Sequence, residues 1–179
     1  MSTKVNAHRE ASEVGDAGRA MASGLTSDQV WRELTKNSFA VISYVTPAGQ
    51  PRSSGVVCAV ADHRMYVVSA ADSWKAKDIS LSGTVAVTVP VRRGGIMSLL
   101  FPIPPATISF HGSAIVHPAQ PLEQQPVPKQ LNALVPAERR NLCRVLEIRP
   151  VGQFLTYGMG VSLTQMRHPA LACARVPVA

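Results

Sequence analysis

Three apolar runs joined by very short connections constrain the fold of this chain most. They are Ser38–Val45 (SFAVISYV), Arg52–Val60 (RSSGVVCAV) and Met65–Ala70 (MYVVSA), separated only by TPAGQP and ADHR. A parallel crossover needs a dozen or more connecting residues, so these strands must be antiparallel neighbours in a meander. Pro47 and Gly49 sit where a tight turn uses them. SFAVISYV is apolar at odd and even positions, which predicts a strand covered on both faces. Thr84–Val91 (TVAVTVPV) alternates cleanly, with Pro90 marking an edge or a strand end. Ala106–Val116 (ATISFHGSAIV) predicts a long strand with Ile108, Phe110, Ala114 and Val116 on one face and a bulge or bend at Gly112. Cys143–Pro150 (CRVLEIRP) is the sixth run, and the tail after it has a strand-like start, a YGMG turn and an apolar end.

Short helices join these strands. LTSDQVWRELTKNS predicts one, capped by Thr26 or Ser27, with Val30, Trp31 and Leu34 on its apolar side. Lys129–Leu134 and Ala137–Leu142 read as two more, parted by Pro136. Arg92–Pro105 (RRGGIMSLLFPIPP) is an insertion too apolar for a solvated loop, expected to cover a partner, a ligand or a barrel mouth. There is no βαβ alternation, and neither GxGxxG nor GxxxxGK[ST] follows a strand. The prediction is a mainly β fold, a six-stranded antiparallel barrel with short helices. Closure removes its sheet edges, and its own side chains fill so small an interior. A ligand would then bind outside the barrel, against a second subunit.

The chain has 179 residues, which suits one domain. Residues 1–24 are polar and aperiodic and read as a disordered arm, leaving 25–179 as the folded domain. The net charge of +7 allows anionic partners, but the basic residues are scattered and aromatics make up only 5%. That argues against a dedicated nucleic-acid binder. The three cysteines are far apart and form no CxxC pair, which argues against a disulfide scaffold or a zinc site. No signal peptide is read at the N-terminus, and prolines break the most apolar stretch, so a cytoplasmic location without membrane insertion is expected.

The stretch VVSAADSWKAKDISL, Val67–Leu81, carries the chemistry. It reads as a strand end, a small-residue turn and a helix, with Ser69, Asp72 and Ser73 at the turn. Lys75 and Lys77 fall near the helix start, where the backbone dipole is already positive. An anion such as phosphate at that end accounts for the arrangement. The bland alternative is a solvated helix in which Lys75 pairs with Asp78. Trp74 and Leu81 share one helical face while Ala76 and Ile79 share another, so the helix is expected to be wedged between two surfaces.

TPAGQP, then SAADSWKAKDI, then VAVTV, in that order between strands, resembles the core of the pyridoxamine 5′-phosphate oxidase-like flavin-binding split barrels. The resemblance covers roughly residues 27–116. It implies a homodimer with a cofactor in a groove between subunits, the phosphate being held by Arg52, Ser53, Ser54, Ser69, Ser73, Lys75 and Lys77. Trp74 is read first as a core residue, with covering a flavin ring as its other role. FMN is the implied cofactor, the deazaflavin coenzyme F-420 the alternative, and haem, with His111 as a candidate ligand, a third. Two departures stand out: Asp78 where the family commonly has Asn, and the long apolar insertion.

No paired carboxylates, Ser/His/Asp arrangement or metal-ligand spacing is visible, and Glu147 is expected to pair with Arg149 or Arg144. Flavin chemistry needs no protein nucleophile. The expected activity is therefore an oxidoreductase moving a hydride to or from a small organic substrate. The competing reading is a non-catalytic flavin, deazaflavin or haem binder.

Overall fold

The computed structural model describes residues 24–93 and 104–178. Almost all of the N-terminal arm, and most of the apolar insertion, lie outside the described residues. Seven strands form one sheet: β1 (Phe39–Val45), β2 (Pro51–Ala61), β3 (Arg64–Ala70), β4 (Thr84–Val91), β5 (Ala106–Val116), β6 (Cys143–Tyr157) and β7 (Cys173–Pro177). Their order is β3-β2-β1-β4-β5-β6-β7, all neighbours antiparallel, and β3 also pairs with β6. That last pairing runs from Met65↔Ile148 to Ala70↔Cys143 and closes six strands into a barrel.

The predicted β1–β5 are present, and β6 is longer than expected. It spans 15 residues because its second half, past Pro150, continues along β5 and receives β7. The tail thus supplies a seventh strand beside the six of the barrel. The register between β5 and β6 shifts at Ser109/His111. Beside that shift, a Cβ at Gly112 would lie 2.5 Å from the Arg149 carbonyl oxygen, so only glycine lets the strands approach this closely.

Helix α1 (Ser27–Thr35) starts with a reciprocal capping box, Gln29 N–H to Thr26 Oγ1 and Thr26 N–H to Gln29 Oε1. It lays Val30, Trp31 and Leu34 on the barrel core. The Trp31 ring meets Phe154 edge-on at 5.2 Å, and Phe154 meets Phe110 edge-on at 5.6 Å. Around this aromatic stack pack Ile42, Val67, Val87, Ile108 and Ile148, all essentially inaccessible to solvent.

Helix α2 (Trp74–Ser82) ends at Gly83, whose left-handed φ of 65° lets its N–H reach the Ile79 carbonyl. The expected wedge does not occur. Ala76, Asp78 and Ile79 are buried, whereas Trp74 is 72% and Leu81 68% exposed. The helix lies on one surface, and Trp74 is no core residue.

A second apolar cluster lies on the outside of the barrel. Helix α3 (Lys129–Leu134) and its flanks bring Leu122, Leu131 and Val135 onto Ala59, Tyr66, Cys143 and Val145. This makes β3 and β6, rather than β1, the strands buried on both faces. On β1, Phe39 is 48% and Val45 50% exposed in the single chain. The expected helix over 137–142 shortens to a single 3₁₀ turn, Ala137–Arg139. The short helix α4 (Pro169–Ala172) leads into β7.

Glu147 is buried on β6 and has more partners than expected. Its Oε1 accepts from Arg149 at 3.0 Å and pairs with Arg64 at 3.1 Å; its Oε2 lies 3.2 Å from His117 Nε2. Arg144 instead donates to the Ala71 carbonyl. Burial alone would raise the Glu147 pKa, but the bonds from Arg149 and His117 and the Arg64 charge outweigh it and hold the carboxyl below its ordinary value of 4.5. A depressed carboxylate stabilises the fold at pH above its unfolded pKa, and that contribution is lost as pH falls through the folded value. Urea midpoints measured below about pH 4.5 should therefore fall more steeply with acid for the native chain than for Glu147→Gln. Equal slopes would show that the cluster contributes nothing.

Candidate functional site

The end of β3 turns into α2 through Ala70, Ala71 and Asp72. The Ser73 N–H donates to the Ala70 carbonyl at 3.1 Å, and Arg144 Nε from β6 fixes the turn through Ala71 O at 2.9 Å. Ser73 is the N-cap of α2 by backbone position, yet its side chain makes no capping bond. The first N–H groups of a nine-residue helix are thus left without a side-chain acceptor.

A groove of about 610 Å³ opens at this turn. One wall comes from β2, β3 and α2 and includes Val57, Val68, Ser69, Ser73 and Lys75; the other comes from the 134–142 segment. Lys75 is half-buried, and burial lowers its pKa below the usual lysine value. Among the described residues no acceptor pairs with its ammonium group, and the Asp78 pairing of the bland reading does not form. Ser69 is almost fully buried and its hydroxyl bonds no described residue.

Of the eight residues singled out in the sequence, Ser69, Ser73 and Lys75 come together in this groove. Arg52 and Ser53 are exposed and Ser54 half-buried on the stretch of β2 just before Gly55, which does line it. Ser53 Oγ is engaged with Ser43 Oγ across β1, at 2.7 Å. Trp74 and Lys77 face each other on the solvent side of α2, the ammonium 5.3 Å from the ring centroid, and neither lines the groove. The second wall, with Leu134, Glu138, Arg139 and Leu142, is not among the residues that the sequence marks. The sequence hint was a pair of proline-bounded segments richer in apolar residues than a connector needs.

Another groove, of about 430 Å³, lies between α1, the end of β4 and Gly158–Gly160. It also carries cations, three of them engaged: Lys36 with Glu33, Arg32 Nε with the Asp28 carbonyl, and Arg93 with the Val161 carbonyl. Arg92 bonds no described residue but is exposed, whereas Lys75 of the first groove is half-buried. Among the described residues no group of three or more His, Cys, Asp or Glu side chains could hold a metal ion, and no helix is long and apolar enough to cross a membrane.

This architecture is the split barrel of the pyridoxamine 5′-phosphate oxidase-like proteins. A general stress protein 26-related structure of the pyridoxinephosphate oxidase family from Clostridium acetobutylicum matches with a TM-score of 0.56 at 6% identity, over 85% of this chain and 94% of that one. General stress protein 26 from Bacillus anthracis matches with a TM-score of 0.51 at 19% identity, over 73% of this chain and 92% of that one. A heme storage protein from Vibrio cholerae matches with a TM-score of 0.52 at 10% identity, over 76% and 98%. At these identities the likeness is one of fold. No family model matches the sequence, and no curated protein matches it.

Proposed function

We propose that the chain is a homodimeric oxidoreductase that binds FMN or a deazaflavin and moves a hydride to or from a small organic substrate. The observation that carries this reading is the unpaired, half-buried Lys75 at a groove that also holds Ser69, Ser73 and the open start of α2. A cation, hydroxyls and free helix N–H groups suit a phosphate. Val57, Val68, Leu134 and Val135 offer apolar surface for a flat ring system. The volume of about 610 Å³ lies within the range of cofactor sites. When bound, a flavin or deazaflavin supplies the hydride chemistry itself, and the chain's residues bind and orient it.

Support for the dimer comes from the outer face of the sheet. Phe39 pairs with Val57 across β1 and β2, and each is a little under half exposed; Val151 and Leu155 on β6 are similarly exposed. Val57 belongs both to this face and to the groove, so a partner seated on the face would adjoin the ligand. A non-catalytic binder is the second reading, favoured by the heme storage protein of like fold. The groove itself argues for a flavin over haem, because no His, Cys, Met or Tyr is among the described residues that line it. His111, exposed on β5, is not among them either.

The absorbance spectrum of the purified protein tests the cofactor. A flavin or deazaflavin band, bleached by a reductant and restored by a substrate acceptor, is the expected result. A Soret band would replace this reading with the haem-binding one, and a ligand that cycles with no acceptor would leave a carrier.

A further inference from the structure

The buried carboxylate of Glu147 gathers more positive charge than it neutralises. Its Oε1 is shared by two guanidiniums, Arg149 through Nε and Nη2 at 3.0 Å and Arg64 through Nη1 at 3.1 Å, while His117 Nε2 holds Oε2 at 3.2 Å. Because both arginines reach one oxygen, their nearest nitrogens stand no more than about 6 Å apart, the two contacts laid end to end. Glu147 is 5% exposed, but the side chains of Arg64 and Arg149 keep 40% and 50% of their surface open to solvent. Nε and Nη2 of Arg64 and Nη1 of Arg149 bond no described residue. Ser113, the cross-strand partner of Arg149 on β5, is exposed, and its hydroxyl also bonds no described residue. Asp62, in the turn before Arg64, pairs with neither arginine.

We infer that Arg64 and Arg149, braced on Glu147, form a site on the outer face of the barrel for a small dianionic oxyanion of the phosphate-ester kind. It is separate from the groove at the β3–α2 turn: Arg64 opens β3 and Ala70 ends it, about 20 Å further along the strand. Two guanidiniums against one carboxylate leave one positive charge over, held half out of water. The carboxylate beneath already fixes both long side chains, so an arriving anion has little left to order. Each guanidinium presents a flat edge of N–H donors. Two such edges at this spacing suit a tetrahedral group whose several oxygens share two charges, whereas a monocarboxylate fills one fork only. With the oxyanion above and Glu147 below, each cation has an opposite charge on either side.

The test is thermal unfolding of the Lys75→Ala chain, in which the proposed cofactor groove has lost its cation. Sulfate, inorganic phosphate and glycerol phosphate are compared with chloride at equal ionic strength and about pH 7.5, where a phosphate monoester carries two charges. All three should give a saturable rise in Tm beyond that in chloride, and acetate should give none. Arg64→Gln and Arg149→Gln should each weaken the apparent affinity about tenfold, the size of a charge-assisted hydrogen bond. Together they should lose little more than the worse of the two, because both act on one anion. Arg175→Gln removes the same charge from an exposed position on β7 and should change nothing.

Should either glutamine variant fail to fold, Arg64→Lys and Arg149→Lys keep the charge beside Glu147 without the fork, and each should bind about threefold more weakly. The inference falls if the dianions raise Tm no more than chloride, if acetate protects as well as they do, or if glycerol phosphate gives no protection. Native affinity in the arginine variants that fold would overturn it equally.

Discussion

Phe154→Ala is expected to lower the stability of the fold by about 3–5 kcal/mol, the usual cost of emptying a large aromatic site in a core. Phe154 is fully buried and stands edge-on to Trp31 of α1 and Phe110 of β5 at once. Its removal leaves a hole between the helix and the barrel and ends two aromatic contacts, each worth about 0.5–1.5 kcal/mol beyond burial. The rigid strands on either side cannot collapse into the space. Urea unfolding should show a lower midpoint with an unchanged slope, the sign of lost stability without a change in the denatured ensemble. A loss below about 1 kcal/mol would mean that α1 is not held through this contact.

The second large effect is functional. Lys75→Ala should weaken FMN binding by about 1.5–3 kcal/mol, the contribution of a hydrogen bond to a charged group. The same change should leave unfolding stability nearly untouched, because Lys75 has no partner within the described fold to lose. Burial already disfavours its charged form, so an arriving anion relieves a strain that the free protein carries. Lys75→Arg keeps the charge but not the compact geometry and should restore binding in part. Fluorescence titration of FMN checks both affinities and urea unfolding the stability; equal affinities would remove Lys75 from the site.

Much of the barrel was legible because its strands are short, alternating and closely spaced. TPAGQP and ADHR leave no choice but antiparallel neighbours. TVAVTVPV gives its faces away by period two, and the structure buries Val85, Val87, Val89 and Val91 as that period requires. The reading failed where a residue's surroundings are set by distant chain. Its residue type points Trp74 to the core, but among the described residues only Lys77 lies over its ring, and it is exposed. SFAVISYV looked doubly covered, while in the single chain the outer cover falls on β3 and β6, supplied by the 122–135 segment. The Glu147 partners Arg64 and His117 become neighbours only through the pairing of β6 with β3 and β5. Within the groove, Lys75 was found because local helix electrostatics mark it. Arg139 was not, since only the tertiary fold brings its segment to the same space.

β6 joins three other strands, and one of those junctions seals the ring. During synthesis, β1 to β5 emerge first and cannot complete a cylinder among themselves. Until Cys143–Ile148 arrive, the far side of β3 offers unsatisfied backbone groups to any passing strand. The nascent chain is thus most exposed to mispairing in the interval before its sixth strand leaves the ribosome, and a holding chaperone would act to greatest effect there.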